Sequence, residues 1–267
     1  MANPPTKKKG MSFIDTHAHL YVEQFDSDRE AVIQNALESG VKQFYLPSID
    51  SRTLERMLSL EAQYPGVCIP MIGLHPISVR PDTIETELGF MKKWLDQRPF
   101  AAVGEIGIDL YWEQRFLYEQ REAFRTQISW AKEKSLPIVI HSRSSFDDIF
   151  EILEQERDER LRGIFHCFSG TFEQARRAID YGMKLGIGGI VTFKNGQIDR
   201  FLYQIDLKHI VLETDSPYLA PTPYRGKRNE PIYLRLILER LSHIYSLPQE
   251  EIAKITTENT TEIFAIH

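Results

Sequence analysis

Eight short apolar runs rich in Ile, Val or Phe alternate with longer amphipathic segments along the chain, at 12–17, 43–49, 68–75, 101–106, 137–141, 163–166, 184–188 and 210–214. Runs this short and this apolar read as parallel strands covered on both faces. Between them the helical period marks segments at 28–39, 53–63, 114–134, 146–155 and 172–180, with two more at 231–243 and 249–266. Glu38-Ser39-Gly40-Val41, Tyr181-Gly182 and Leu136-Pro137 read as helix stops that feed the next strand. Eight strand–helix units in about 250 residues fill a TIM (β/α)8 barrel and leave no second domain. A doubly wound open sheet competes, but eight evenly spaced units favour the closed α/β barrel. The expected organisation is a disordered N-terminal extension at 1–11 and a single barrel domain at 12–267.

Composition narrows the function classes. With 42% hydrophobic and 26% charged residues, the chain has enough apolar side chain for a packed core. No apolar run reaches the roughly 18 residues of a membrane span. Two cysteines, Cys68 and Cys167, make no Cys-x-x-Cys pair, which points away from a disulfide framework and from a cysteine zinc site. The first ten residues lack the apolar core of a signal peptide, so a cytoplasmic location is expected. The net charge of −6 excludes a protein coated in positive charge for wrapping nucleic acid, though it leaves room for a local basic mouth.

Barrel active sites are built at the C-terminal ends of the strands, so what stands there decides the chemistry. The first strand ends in His17-Ala18-His19, where alternation puts both imidazoles on one side, suited to one metal ion. Later strands end in Gly73-Leu74-His75-Pro76, Gly104-Glu105-Ile106-Gly107-Ile108-Asp109, His141-Ser142-Arg143, His166-Cys167-Phe168-Ser169-Gly170 and Glu213-Thr214-Asp215-Ser216-Pro217. A lone histidine at any of these ends is most simply a satisfied core residue. Converging buried carboxylates and imidazoles, however, destabilise one another unless a cation joins them. The set exceeds the three protein ligands of a mononuclear zinc site, so two divalent ions sharing a carboxylate are expected.

Taken in order, these six motifs resemble those of the TatD-like metal-dependent deoxyribonucleases, within the amidohydrolase-like hydrolases. Arg225-Gly226-Lys227-Arg228-Asn229-Glu230-Pro231 resembles that family too, and the likeness runs from Phe13 to Phe264. His-x-His alone is a weak signal; six ordered motifs are a strong one. The resemblance implies a TIM barrel with a two-metal centre: His17, His19 and Asp215 on one ion, His141 and His166 on the other, and Glu105 bridging. It implies His75 and Arg143 as contacts to the substrate phosphate. Histidine-rich ligation suits Zn, Mn or Ni, while phosphoryl transfer also uses Mg, so the metal's identity stays open.

On this reading the ions activate a hydroxide for attack on phosphorus, Asp215 orients it and takes its proton, and His75 assists the leaving oxygen. Lys194, Arg225, Lys227 and Arg228 fall in loops on the same face and form a basic rim, Arg228 being the residue taken to touch substrate; the plainer alternative is a solvated charge run. Glu230 could pair with one of these arginines. Asp109 has two readings: it steadies a metal ligand from behind, or it caps Tyr111-Trp112 and the helix beyond. Strand alternation points Cys167 away from the site as a packed thiol. Tyr111, Trp112 and Phe116 are candidates for stacking on bases or for the core. His209, His243 and His267 read as structural or exposed.

The first function that follows is hydrolysis of DNA phosphodiesters, exonuclease-like on single strands or ends. DNA is then a transient partner, with no membrane and no obligatory protein partner. The alternative puts the same centre to work on a small ester, lactone or amide, and a third reading is a non-catalytic binding protein. Arg143 and the basic loop separate the first two, because a neutral substrate has no need of them.

Overall fold

All eight strands form, in the expected order: β1 (Phe13–Asp15), β2 (Val41–Pro47), β3 (Cys68–Met71), β4 (Val103–Asp109), β5 (Ile138–Arg143), β6 (Gly163–Phe165), β7 (Met183–Ile187) and β8 (Ile210–Leu212). They come from a computed structural model that describes residues 11–265. Pairing is parallel and in chain order, β1 to β3 in one set and β4 to β8 in the other. Isolated parallel bridges join both seams, Ile72 with Val103 and Ala18 with Ser216. Backbone bonds reinforce them, with Gly104 N donating to Ile72 O at 2.8 Å and Thr16 N to Leu212 O at 2.9 Å. The architecture is a TIM (β/α)8 barrel.

The helices are α1 (Arg29–Ser39), α2 (Ser51–Gln63), α3 (Ile84–Gln97), α4 (Leu117–Lys134), α5 (Phe146–Gln155), α6 (Phe172–Asp180), α7 (Leu234–Tyr245) and α8 (Gln249–Phe264). Two points differ from the expected pattern. Helix α3 buries only Met91 and Leu95, and so thin an apolar stripe carries little periodic signal. After β7 the chain makes short 3₁₀ turns, among them Gly189–Thr192 and Leu207–His209, instead of an α-helix. Gly188-Gly189 and Asn195-Gly196 break the helical option there. The Gly40 stop behaves as read: its φ of 115° ends α1, and a Cβ there would sit 2.5 Å from the Met11 carbonyl oxygen. Met11 itself is buried in the core, so the last position of the expected extension belongs to the packed chain. The rest of that extension, and His267, lie outside the described residues.

Two apolar clusters divide the interior. One lies between the strands and the surrounding helices. The other takes Ile14, Tyr45, Met71, Ala102, Val139, Ile164 and Val211, one from nearly every strand, and fills the lower barrel. Phe264 of α8 closes it from below, its ring stacked on Tyr45 at 3.9 Å between centroids. Among the described residues no helix is long and apolar enough to cross a membrane.

Candidate metal centre

Above that apolar plug the inward positions turn polar. Glu105 occupies the middle, on β4, where the β4–β5 register slips between Gly104 and Ile106 and re-aims the side chain as a bulge does. Its two oxygens face different histidines. Oε2 lies 3.1 Å from His17 Nε2 and 3.6 Å from His19 Nε2. Oε1 lies 2.8 Å from His141 Nδ1, 3.3 Å from His75 Nε2 and 3.8 Å from His166 Nε2. Asp215 Oδ1 completes the first group, 3.6 Å from His19 Nε2 and 3.9 Å from His17 Nε2, and it also lies 3.7 Å from His166 Nε2. The structure thus brings together His17, His19, Glu105, His141, His166 and Asp215, with His75 beside them. His141 and His166 meet at the same Glu105 oxygen, while the ligand atoms that lie within 4.8 Å of one another group His141 with His75 and Glu105, and His166 with His17 and Glu105.

The backbone that presents these groups is held across the barrel seam. Asp215 has a left-handed φ of 59°. Its N–H donates to His17 O at 2.9 Å, which locks the end of β8 against the end of β1. Asp15, which the motif reading passed over, pins the same seam. Its carboxylate accepts from Thr214 N at 2.9 Å and Thr214 Oγ1 at 2.6 Å. Burial raises the Asp15 pKa to about 7 despite those bonds.

Two of the imidazoles are held from behind by hydrogen bonds, and a third has a carboxylate within ion-pair distance. Tyr21 donates its hydroxyl hydrogen to Pro47 O, so it can only accept from His19 Nδ1 at 2.9 Å. His19 is therefore protonated at Nδ1 and turns the Nε2 lone pair inward. Asp109 Oδ2 accepts from His141 Nε2 at 2.8 Å, and Glu213 Oε1 stands 3.1 Å from His166 Nδ1. Carboxylate behind imidazole is the arrangement that steadies metal-ligating histidines. Glu213 and Tyr21 escaped the sequence reading although both keep the strand alternation that picked out the ligands, Tyr21 two positions past His19 and Glu213 two before Asp215.

His75 differs. Its Nδ1 accepts from Ile77 N at 3.0 Å, so the proton sits on Nε2, which faces Glu105. Distance alone would class it as a ligand; its tautomer makes it a donor. Burial holds its pKa below the usual histidine value, against the pull of Glu105, and keeps it neutral.

Burial and mutual charge set the electrostatics of the site. Asp15, Glu105, Asp109, Glu213 and Asp215 are all buried. Burial resists ionisation of Glu105, but the surrounding imidazoles hold its pKa well below the usual range. Burial also pulls His141 and His166 down, and their carboxylate neighbours reverse it, raising them to about 9 and about 10. Burial raises Asp215 to about 6, with His166 and His19 opposing. His17, deepest of all, is driven well below its ordinary value by burial and by His166, stacked on it at 3.4 Å.

These residues fit divalent cations. Donor atoms bonded to one ion at about 2.1 Å lie about 3.0–3.4 Å apart, and the ring of Nε2 and carboxylate oxygens spans 3.1–3.9 Å. The two Nε2 atoms of His17 and His19 face each other at 3.3 Å. Buried His17 Nδ1, His166 Nδ1 and Glu213 Oε2 have no hydrogen-bond partner. Imidazole with carboxylate suits Zn, Mn, Fe or Ni.

The outlying candidates part company. Arg143 is exposed at the end of β5, its guanidinium 3.9 Å above the Tyr111 ring and free of ion pairs to described carboxylates within 4 Å. Arg228, expected to touch substrate, forms a bidentate pair with Asp28 at 2.8 and 2.6 Å and a further hydrogen bond with Glu230 at 2.9 Å. Two carboxylates neutralise it and tie its loop to α1, the anchoring role foreseen for Glu230. Lys194, Arg225 and Lys227 remain exposed. Cys167 also corrects its expectation. Its φ of 47° breaks the alternation that would turn it away, and its sulfur groups with His166 and Asp215. Asp109 stands behind His141 through Oδ2 and caps the Tyr111-Trp112 turn, its Oδ1 accepting from Tyr111 N and Trp112 N at 2.9 and 2.8 Å; the helix beyond begins only at Leu117 and is not capped by it. Tyr111 and Trp112 are exposed, and Phe116 is half-buried.

Comparison with known proteins agrees with this geometry. The family model described as TatD related DNase matches residues 14–265. An uncharacterised metal-dependent hydrolase of Bacillus subtilis, YabD, is 39% identical over 254 residues, covering 95% of this chain and 99% of its own. The human deoxyribonuclease TATDN3 is 28% identical over 270 residues, covering 96% of this chain and 95% of its own. The crystal structure of YjjV, a TatD homologue of Escherichia coli, superposes with a TM-score of 0.88 at 30% identity, covering 96% of this chain and 98% of its own.

Proposed function

Because the chain belongs to the TatD-related DNase family of metal-dependent hydrolases, we propose that it cleaves phosphodiester bonds in DNA, trimming single strands or ends in the cytoplasm. The observation that carries this reading is Glu105, whose two oxygens divide the imidazoles between two sides of one carboxylate. On that division, His17, His19 and Asp215 would hold one cation and His141 and His166 a second, with Glu105 shared between them.

Bound there, two divalent cations supply a more acidic water and offset the charge that builds on the phosphoryl oxygens. The chain's own groups do the rest. Asp215, beside the attacking water, orients it and accepts its proton through its carboxylate. His75, held as the Nε2–H tautomer by Ile77, donates toward the leaving oxygen. Arg143 offers its guanidinium fork to a nonbridging phosphate oxygen. The unpaired cysteines, Cys68 and Cys167, support a reducing compartment.

The test is a metal-reconstituted assay on single-stranded and duplex oligonucleotides, run beside aryl ester, lactone and amide substrates, with His17→Ala and Glu105→Ala as controls. Cleavage of the oligonucleotides that both substitutions abolish is the expected result. Turnover confined to the neutral substrates would replace this reading by the amidohydrolase-type one, and cleavage that survives both substitutions would remove these residues from the reaction.

A further inference from the structure

Two of the molecule's most exposed large side chains, Tyr111 at 57% and Trp112 at 68%, stand side by side at the mouth rather than on a remote surface. Adjacent exposed aromatics beside a reaction centre make the kind of apolar patch that serves ligand contact. Their rings meet edge to face at 4.9 Å, and Arg143 covers the Tyr111 face at 3.9 Å while remaining 5.3 Å from Trp112. One flat indole is therefore open beside a cation that is already held in place.

The position of this shelf relative to the reaction centre is set by a single carboxylate. Asp109 accepts the Tyr111 and Trp112 amides on one oxygen and His141 on the other. A side chain that is itself fully buried thus fixes the shelf and a candidate ligand in one frame.

We propose that Tyr111, Trp112 and Arg143 form a subsite for one unpaired nucleobase and its phosphate, next to the bond that is cut. Trp112 stacks on the base, Tyr111 holds Arg143 by its ring face, and Arg143 takes the phosphate. The base is unpaired because a paired base inside a duplex shows its face only to its stacked neighbours. The subsite rests on the phosphodiesterase reading above and adds to it the feature that selects single strands and frayed ends.

The experiment compares wild type, Trp112→Ala and Trp112→Phe, all metal-loaded, on two single-stranded oligonucleotides. One carries ordinary bases; in the other the nucleotides at the cleaved end are abasic. Trp112→Ala should raise KM for the base-bearing strand by about tenfold with kcat little changed, the order of one lost base–aromatic stack. Trp112→Phe should recover most of that loss, and KM for the abasic strand should shift by less than about twofold across the three proteins. Wild-type tryptophan fluorescence should also be quenched by thymidine 5′-monophosphate and not by deoxyribose 5-phosphate, since Trp130 is buried and Trp94 half-buried. Equal losses on both strands, or quenching by the two ligands alike, would overturn the subsite and leave the nuclease reading standing. A wild type inactive on both strands would instead overturn the nuclease reading, and the subsite with it.

Discussion

The lumen of this barrel has two halves made from the same eight strands. Below, Tyr45, Met71, Val139, Ile164 and Val211 pack into a dry plug under the Phe264 lid. Above, a residue or two further along the same strands, stand His141, His166 and Glu213. The lower half stabilises the fold by removing apolar surface from water; the upper half buries five carboxylates that favour folding only when something offsets their charge. Stability and chemistry are thereby separated along one axis, as the strand polarity of this architecture allows.

That separation is open to test. Glu105→Gln removes the central carboxylate and should lower the rate of the metal-loaded protein by at least about a thousandfold. Above pH 10, where His141 and His166 have lost the protons that Glu105 helps to hold, the chelated variant should melt no lower than chelated wild type; a collapse of the fold there would put Glu105 among the stabilising residues. Phe264→Ala should do the reverse. Loss of its ring from the lower plug should cost about 3 kcal/mol in denaturant unfolding, with kcat per folded molecule unchanged. A fall in kcat without a fall in stability would show that the halves are coupled.

Glu213→Gln probes the upper half more gently. Weakening the carboxylate behind His166 should reduce metal affinity by about ten- to a hundredfold in chelator competition, and an unchanged affinity would demote Glu213 to packing. The chelated protein should also be sensitive to pH. His141 and His166, raised to about 9 and about 10, are protonated in the folded state well above the ordinary histidine value. Their stabilisation is complete below pH 6.5 and is lost as the pH climbs through those values. The melting temperature of chelated protein should therefore fall between pH 7 and 10, and metal loading, which displaces the same protons, should flatten that fall. The smallest effect belongs to the lower rim, where Lys184 pairs with Glu262 at 2.8 Å on a largely exposed carboxylate. Glu262→Ala should cost less than about 1 kcal/mol.

The two halves were not equally legible in the sequence. Apolar alternation announced the strands, and the histidines and carboxylates at their ends announced the upper mouth, because both patterns are local. What depends on contacts between strands was not visible. Glu213 lies in the motif that named Asp215, and Asp15 stands two residues before His17, yet their partners His166 and Thr214 come from other strand ends. The tautomer of His75 is fixed by a backbone amide two residues on, which no spacing rule reads. Cys167 was misplaced because a left-handed residue suspends the alternation on which its expected direction depended. Arg228 looked available because the carboxylate that neutralises it, Asp28, is 200 positions away in the chain.

The most direct test of the upper half as a cation site is the metal content of the purified protein, measured by elemental analysis and by calorimetric titration into chelated samples. Wild type should bind two divalent ions per chain, and Glu105→Gln fewer. Activity should disappear with chelation and return with the ions. A wild type that takes up no divalent metal, or whose activity is indifferent to its removal, would contradict the account.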